Sequence, residues 1–333
     1  VEIIDNTNKT TSDVPGMPSR HDPLMETGNN LVCYNIKDFL ELKIPPAEYI
    51  LHPILCERRH AMIYAPRGAG KTWFCLSLAY SAATGITIIE RYQAKKACKV
   101  LYIDGEMAAD ELQSRLLTIS GGKIPPEVVN NFRIMTPDLC KGQMPNIASP
   151  FGQDDFGPFL RDVDVIFIDN ISSLSSGINE NDAESWGPFK QWLLYVRKLG
   201  IAVVIIHHAG KNGQQRGTSS REDSLDVVLS LKPQKSTSIE EITRFNVHFE
   251  KARSIVGKDA KPFSLEMSIT EAGINWQSKP LSSDAVREKR DQRLDKVLKL
   301  AADGNTTRAI ADATGIPRST VQRMLHNSKL AAN

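Results

Sequence analysis

Ala65-Pro-Arg-Gly-Ala-Gly-Lys71-Thr72 decides how the rest of the chain is read, because an apolar run stops where it begins and a helical run starts where it ends. His60-Ala-Met-Ile-Tyr-Ala65 has the composition of a short buried strand. From Lys71 onward the apolar positions Phe74, Leu76, Leu78 and Ala79 suit a helix. Between the two, Gly68 and Gly70 let successive backbone N–H groups curl around a polyphosphate, and the helix N-terminus adds its partial positive charge. In this pattern the lysine, Lys71, reaches the terminal phosphates and the Thr72 hydroxyl holds Mg2+. Ala65, Pro66, Arg67, Gly68, Ala69, Gly70, Lys71, Thr72 and Trp73 are therefore the expected ATP-binding segment. Ala65 stands where the pattern usually has its first glycine, a tolerable change while its φ stays negative.

At 333 residues the chain has room for about two domains. A hydrophobic content of 41%, with 24% charged residues, is ordinary for a globular protein. The net charge of +2 leaves nucleic-acid contact to local basic patches and not to a global field. The five cysteines are scattered and show no Cys-x-x-Cys spacing, which points to a reducing, cytoplasmic setting and away from zinc. No apolar run has membrane-spanning length, so no membrane partner is expected. Val1 in place of an initiator methionine reads as a piece of something longer.

Working outward, residues 1–30 are polar and rich in Asn, Thr, Ser and Pro, the composition of a disordered lead or linker. Residues 31–277 are expected to form one α/β core. Apolar strands at 100–104, 132–135, 163–169 and 202–207 alternate with helices at 108–119 and 183–199, which predicts a parallel sheet covered on both faces. After residue 225 come strands without helices (226–231, 243–251, 263–269), an antiparallel extension. A linker is expected at 278–286, and beyond it a basic helical domain, 287–333.

Val165-Ile-Phe-Ile-Asp169 is an apolar strand ending in a carboxylate. At the C-terminal end of a strand neighbouring the one before the phosphate loop, Asp169 would orient the hydration shell of Mg2+ beside Thr72. Leu101-Tyr-Ile-Asp-Gly-Glu106 places Glu106 just past another strand end, as a base for the attacking water; Asp104 could share or replace it. His207 and His208 close the next strand. Adjacent strand residues face opposite sides, so the pair is a poor chelate, and one of the two is the candidate γ-phosphate sensor. Lys251 and Arg253, two apart on an expected strand, should share a face.

These segments together resemble the RecA-like core of replicative hexameric helicases, the plasmid RepA-type and DnaB-type group, and AAA ATPases of mobile elements. The likeness spans roughly 45–277. Its residues are the phosphate loop at 65–72, Asp-Gly-Glu106-Met, Asp169-Asn, His207-His208-Ala-Gly-Lys211, Gln215-Arg-Gly-Thr-Ser-Ser220, Asp226-Val-Val-Leu and Phe249-Glu-Lys251-Ala-Arg253. The resemblance implies that Glu106 activates water and that the residue after the later strand senses the γ-phosphate. It implies too that Lys251 and Arg253 reach ATP bound by the next subunit of a homo-oligomeric ring, a hexamer. It also implies that the loop with Lys211, Arg216, Thr218 and Ser219 touches single-stranded DNA in a central channel, with movement 5′→3′. That loop has two cations and no aromatic residue, so phosphate contact and not base stacking is its device.

Asn305 to Leu325 reads as helix, tight turn, helix. Ala309, Ile310, Ile316, Val321 and Leu325 form the inward face, Gly315 the turn and Pro317 the second start. Arg318, Ser319, Thr320, Gln322 and Arg323 then face outward, suited to duplex DNA, and the segment resembles the helix-turn-helix of resolvases. A three-helix protein-docking domain is the rival. The combined expectation is an ATP-dependent DNA helicase or translocase. The alternatives are a non-translocating ATPase switch and an ATP-regulated DNA-binding regulator.

Overall fold

The computed structural model describes residues 32–176, 185–210, 223–234, 243–271, 273–281 and 283–331. The lead at 1–30 and the loop residues Lys211, Arg216, Thr218 and Ser219 lie outside them. The chain divides into two units, Val1–Lys279 and Pro280–Asn333.

The first unit opens with α1 (Ile36–Glu41), β1 (Tyr49–His52) and β2 (Leu55–Cys56). β3 (His60–Ala65) then runs through the phosphate loop into α2 (Lys71–Thr84). β4 (Gln93–Ala94) pairs with β1, and β1 with β2, in a small antiparallel sheet. There follow β5 (Val100–Asp104), α3 (Ala109–Ser120), α4 (Pro126–Asn131), β6 (Phe132–Met135), α5 (Pro150–Phe156), β7 (Val165–Asp169), α6 (Ile171–Leu174), α7 (Gly187–Lys198) and β8 (Ala202–His208). The unit ends in β9 (Val227–Pro233), β10 (Thr243–Ala252), β11 (Phe263–Thr270) and β12 (Gly273–Pro280).

Among the described residues the main sheet has nine strands in the order β12-β11-β10-β9-β3-β8-β7-β5-β6. From β9 to β6 every pairing is parallel, and β10 is antiparallel to both β9 and β11. The expected parallel sheet with an antiparallel extension is what forms. β3, β5, β7 and β8 read as continuous apolar runs because each buries both faces. Alternation sends Ile63, Tyr102, Phe167 and Val204 to the face covered by α2, with Phe74 and Leu78. Met62, Ile103, Ile168 and Val203 go to the other face, against Phe189, Trp192 and Leu193 of α7. Each such fully buried side chain contributes about 1.5–3 kcal/mol.

The antiparallel strands do more than widen the sheet. Phe245 of β10 and Trp276 of β12 meet Phe74 of α2 edge-on, with ring centroids 5.7 and 6.1 Å away. The Trp276 indole N–H donates to Ser77 Oγ at 3.0 Å. The expected linker at 278–286 is corrected. β12 continues to Pro280 in the sheet beside β11, a strand of the same eight-residue length, and the next helix begins at Ser283.

The second unit is α8 (Ser283–Ala302), α9 (Thr307–Thr314) and α10 (Arg318–Ala331) around Val297, Ile310 and Val321. Thr306 caps α9 by accepting the Ala309 N–H, and Gly315 ends it with φ 69°. Ala309, expected inside, is exposed, and Ala311 packs on the core in its place. Among the described residues no helix is long and apolar enough to cross a membrane.

Candidate active site

The phosphate loop lies at the C-terminal end of β3. Ala65 is the last residue of that strand and is not among the non-glycine residues with positive φ, which answers the substitution at this position. Gly68 and Gly70 have φ 72° and 82°, a region that side chains with a Cβ rarely adopt. Gly70 is the N-cap of α2, where the first-turn N–H groups have no helical partner. A Cβ at Gly70 would run into the methyl of Thr243, the first residue of β10, so the extension also backs the loop. Arg67 is exposed, Pro66, Thr72 and Trp73 are half-buried, and the Trp73 ring carries the Arg115 guanidinium of α3 at 5.1 Å.

Lys71 is 6% exposed, and its Nζ stands 3.2 Å from Asp169 Oδ1. The other oxygen, Oδ2, accepts the Tyr102 hydroxyl at 2.7 Å. Asp169 is at the end of β7 as read, but β7 is not beside β3: β8 lies between them. The long Lys71 side chain spans that gap. Among the described residues no group of three or more His, Cys, Asp or Glu side chains could hold a metal unaided. The Thr72 hydroxyl and the Asp169 carboxylate are hard oxygen donors, and their number suits Mg2+, which keeps several waters and binds through substrate phosphates.

Glu106 follows β5 with its side chain 46% exposed. His208 Nε2, from the end of β8, lies 3.2 Å from Glu106 Oε1 and 3.2 Å from the Asn170 amide nitrogen. Partial burial works against charge on Glu106, yet hydrogen bonds from Asn170, His208 and Ser173 outweigh it and hold the carboxylate below its ordinary pKa. Asp104 is arranged otherwise. It is buried, and its Oδ2 accepts the N–H groups of Glu106 and Met107 at 3.2 and 2.8 Å. Burial pushes its pKa up to about 6, against the pull of those N–H bonds. Asp104 is thus the brace of the turn that presents Glu106, and the more exposed Glu106 is the one open to a water. The two histidines do diverge: His207 Nδ1 is 3.3 Å from Ser172 Oγ, while His208 meets Glu106.

Lys251 lies in β10 and Arg253 just past its end at Ala252; the β9–β10 register shift falls before both, between Phe249 and Lys251. Arg253 is turned back, donating to the Asp223 carbonyl at 2.9 Å, with Nη1 3.9 Å from Asp226 Oδ1. It lies at the foot of β3: its N–H donates to the Asp226 carbonyl, and the Asp226 N–H to the His60 carbonyl. The structure thus gathers Lys71, Thr72, Glu106, Asp169 and His208 at one end of the sheet and leaves Arg253 at the other. In the second unit Arg318, Ser319, Gln322 and Arg323 are exposed and Thr320 is half-buried.

Sequence reasoning passed over Tyr102 and Asn170. Tyr102 sits among apolar neighbours in a strand, where only its hydroxyl, on the α2 side of the alternation, marks it. Asn170 follows the strand-end aspartate and caps α6 through the Ser173 N–H.

Residues 34–214 match the AAA domain family, and residues 287–331 match a homeodomain-like domain. A solved structure, the KaiC-like protein PH0186 of the hyperthermophilic archaeon Pyrococcus horikoshii OT3, is 18% identical with a TM-score of 0.47, covering 68% of this chain and 93% of its own. No curated protein matches the chain. The family match takes in more than half of the chain and contains the phosphate loop, Glu106, Asp169 and His208. The chain belongs to the AAA domain family, and a homeodomain-like domain follows in the sequence.

Proposed function

We propose that the chain is an ATP-dependent DNA motor of the replicative hexameric helicase type, hydrolysing ATP between subunits and moving single-stranded DNA. The observation that carries this reading is the division of the chemistry along β3. The phosphate loop leaves the strand at Ala65, whereas Arg253 is tied to its start at His60. Five residue steps separate these ends, about 16 Å in a strand, which is beyond an arginine's reach. Arg253 can meet a nucleotide only on another copy, and repeating such a head-to-tail contact closes a ring or winds a filament.

In this reading Lys71 and the first turn of α2 bind the triphosphate, and Thr72 and Asp169 hold Mg2+, partly through water. Mg2+ held there would supply positive charge against the phosphates during transfer. Glu106 takes the proton of the attacking water, and His208, in contact with Glu106, relates that carboxylate to the loop after β8. Lys211, Arg216, Thr218 and Ser219 of that loop are the proposed contacts to single-stranded DNA. Lys251 and Arg253 serve the neighbouring subunit.

The test measures ATPase and strand displacement for wild type, Glu106→Gln and Arg253→Ala. The expected result is hydrolysis stimulated by single-stranded DNA, displacement of an annealed strand, and a loss of kcat of about 10²–10⁴-fold in Glu106→Gln. Full hydrolysis in Arg253→Ala, or by a dilute monomer, sinks the reading. The exposed Arg318, Ser319, Gln322 and Arg323 on a helix with its own small core favour a second reading, a regulator that binds duplex DNA. That reading predicts sequence-selective binding that survives Lys71→Ala and fails in Arg318→Ala or Arg323→Ala.

A further inference from the structure

Three guanidinium groups converge on one carboxylate at the foot of β3. Asp226 Oδ2 accepts the His60 N–H at 3.0 Å and a hydrogen bond from Arg197 Nη2 at 3.0 Å. Its Oδ1 lies 4.0 Å from Arg59 Nη1 and 3.9 Å from Arg253 Nη1. The Asp226 side chain is 12% exposed, while those of Arg59 and Arg253 are each 50% exposed. Four parts of the first unit meet here: the residue before β3, the last turn of α7, the turn into β9 and the end of β10.

Among the described residues one carboxylate, Asp226, faces three cations. The strain of that crowding falls on Arg197, whose pKa is lowered first by burial and then by Arg59 and Arg253, against the pull of Asp226. An anion arriving at the exposed side would relieve it. Two guanidinium nitrogens that each stand about 4 Å from the same oxygen are within about 8 Å of each other. A phosphoryl group accepting hydrogen bonds of about 2.9 Å on two of its oxygens fits between donors so spaced. The cluster is compact and has two exposed donors, which suits one multiply charged terminal phosphate better than the drawn-out backbone of a nucleic acid.

We infer that Arg59 is a second cation beside Arg253, and that Asp226 spaces the two so that together they grip the terminal phosphate of a nucleotide bound by a second copy of this chain. The inference rests on the inter-subunit reading above and adds Arg59 and Asp226 to it. The chain's own nucleotide is excluded as the target by the same separation along β3 that excludes it for Arg253. Asp226 is a positioning residue: it touches no phosphate, and two side chains that it already holds lose less freedom when the phosphate arrives.

The test uses the full chain. ATP hydrolysis is followed for Arg59→Ala, Arg59→Lys, Arg253→Ala, Asp226→Asn and Asp226→Glu, and for each mixed one to one with Glu106→Gln before assembly. Arg59→Ala is expected to lower kcat about tenfold or more with KM for ATP kept, and Arg59→Lys to fall between it and wild type. Mixing with Glu106→Gln should return about a quarter of the wild-type rate per chain, because about a quarter of the sites then combine an intact Glu106 with a neighbour's intact Arg59. Asp226→Asn should lower the melting temperature, because it leaves three cations without their carboxylate, and should also lower kcat at a temperature where the variant is still fully folded; Asp226→Glu should recover part of both. Wild-type kcat in Arg59→Ala overturns the inference, as does a loss that mixing does not repair. If Arg253→Ala is repaired by mixing while Arg59→Ala is fully active, the inter-subunit reading stands and only this inference falls. If Arg253→Ala is fully active, both fall.

Discussion

Asp169 has both oxygens engaged, one by the Lys71 ammonium and one by the Tyr102 hydroxyl, inside a nearly dry pocket. Hydrogen bonds to a charged acceptor are worth about 1.5–3 kcal/mol, so Tyr102→Phe should lose that much in a denaturant titration. An unchanged midpoint would show the bond to be idle. Lys71 and Asp169 were legible because motif and strand end name them; Tyr102 was not, because a tyrosine in an apolar strand reads as packing. His60 makes a second case. Its Nε2 meets the Leu193 carbonyl at 2.8 Å, and burial, with Arg197 nearby, lowers its pKa to about 4. The unfolded chain, with an ordinary histidine near 6.5, binds more protons between those values. Stability present above pH 6.5 is therefore lost as pH falls toward 4, by about 3 kcal/mol in all. His60→Gln should remove that part of the slope, and unfolding curves of the two proteins at pH 4.5 and 7.5 would tell. Parallel pH dependence in both would contradict it.

At the scale of elements, the contact between the phosphate loop and β10 has a local cost to reveal. Gly70→Ala must adopt a left-handed conformation, at about 1–2 kcal/mol, and push its Cβ into Thr243. Thermal melting should fall accordingly and ATP binding should weaken; pairing it with Thr243→Ala should recover part of the loss, and no recovery would mean that β10 does not back the loop. Strand and helix identities in the core were legible from apolar runs and their lengths. Two features were hidden. The irregularity between Phe249 and Lys251 rests on how β10 aligns with β9, a partner that local spacing cannot see. The continuation of β12 through residue 278 rests on its pairing with β11 at the edge of the sheet, again a partner that local spacing cannot see.

For the molecule as a whole, the parallel sheet with its antiparallel extension followed from the change of pattern after residue 225, but the order of its strands did not. That β8 separates β3 from β7 is a matter of crossover, and it decides that Lys71 must reach across one strand to meet Asp169. The ends of β3 have one more consequence. On the proposed reading, a triphosphate cradle at one end of β3 and Arg253 beside its other end give each chain two half-sites and no whole one. Lys71→Ala chains would then be poisonous to their healthy siblings: co-expressed in excess, they would occupy positions in the shared assembly and silence it out of proportion to their number. An allele of that kind, inactive but able to assemble, would be inherited as a dominant trait.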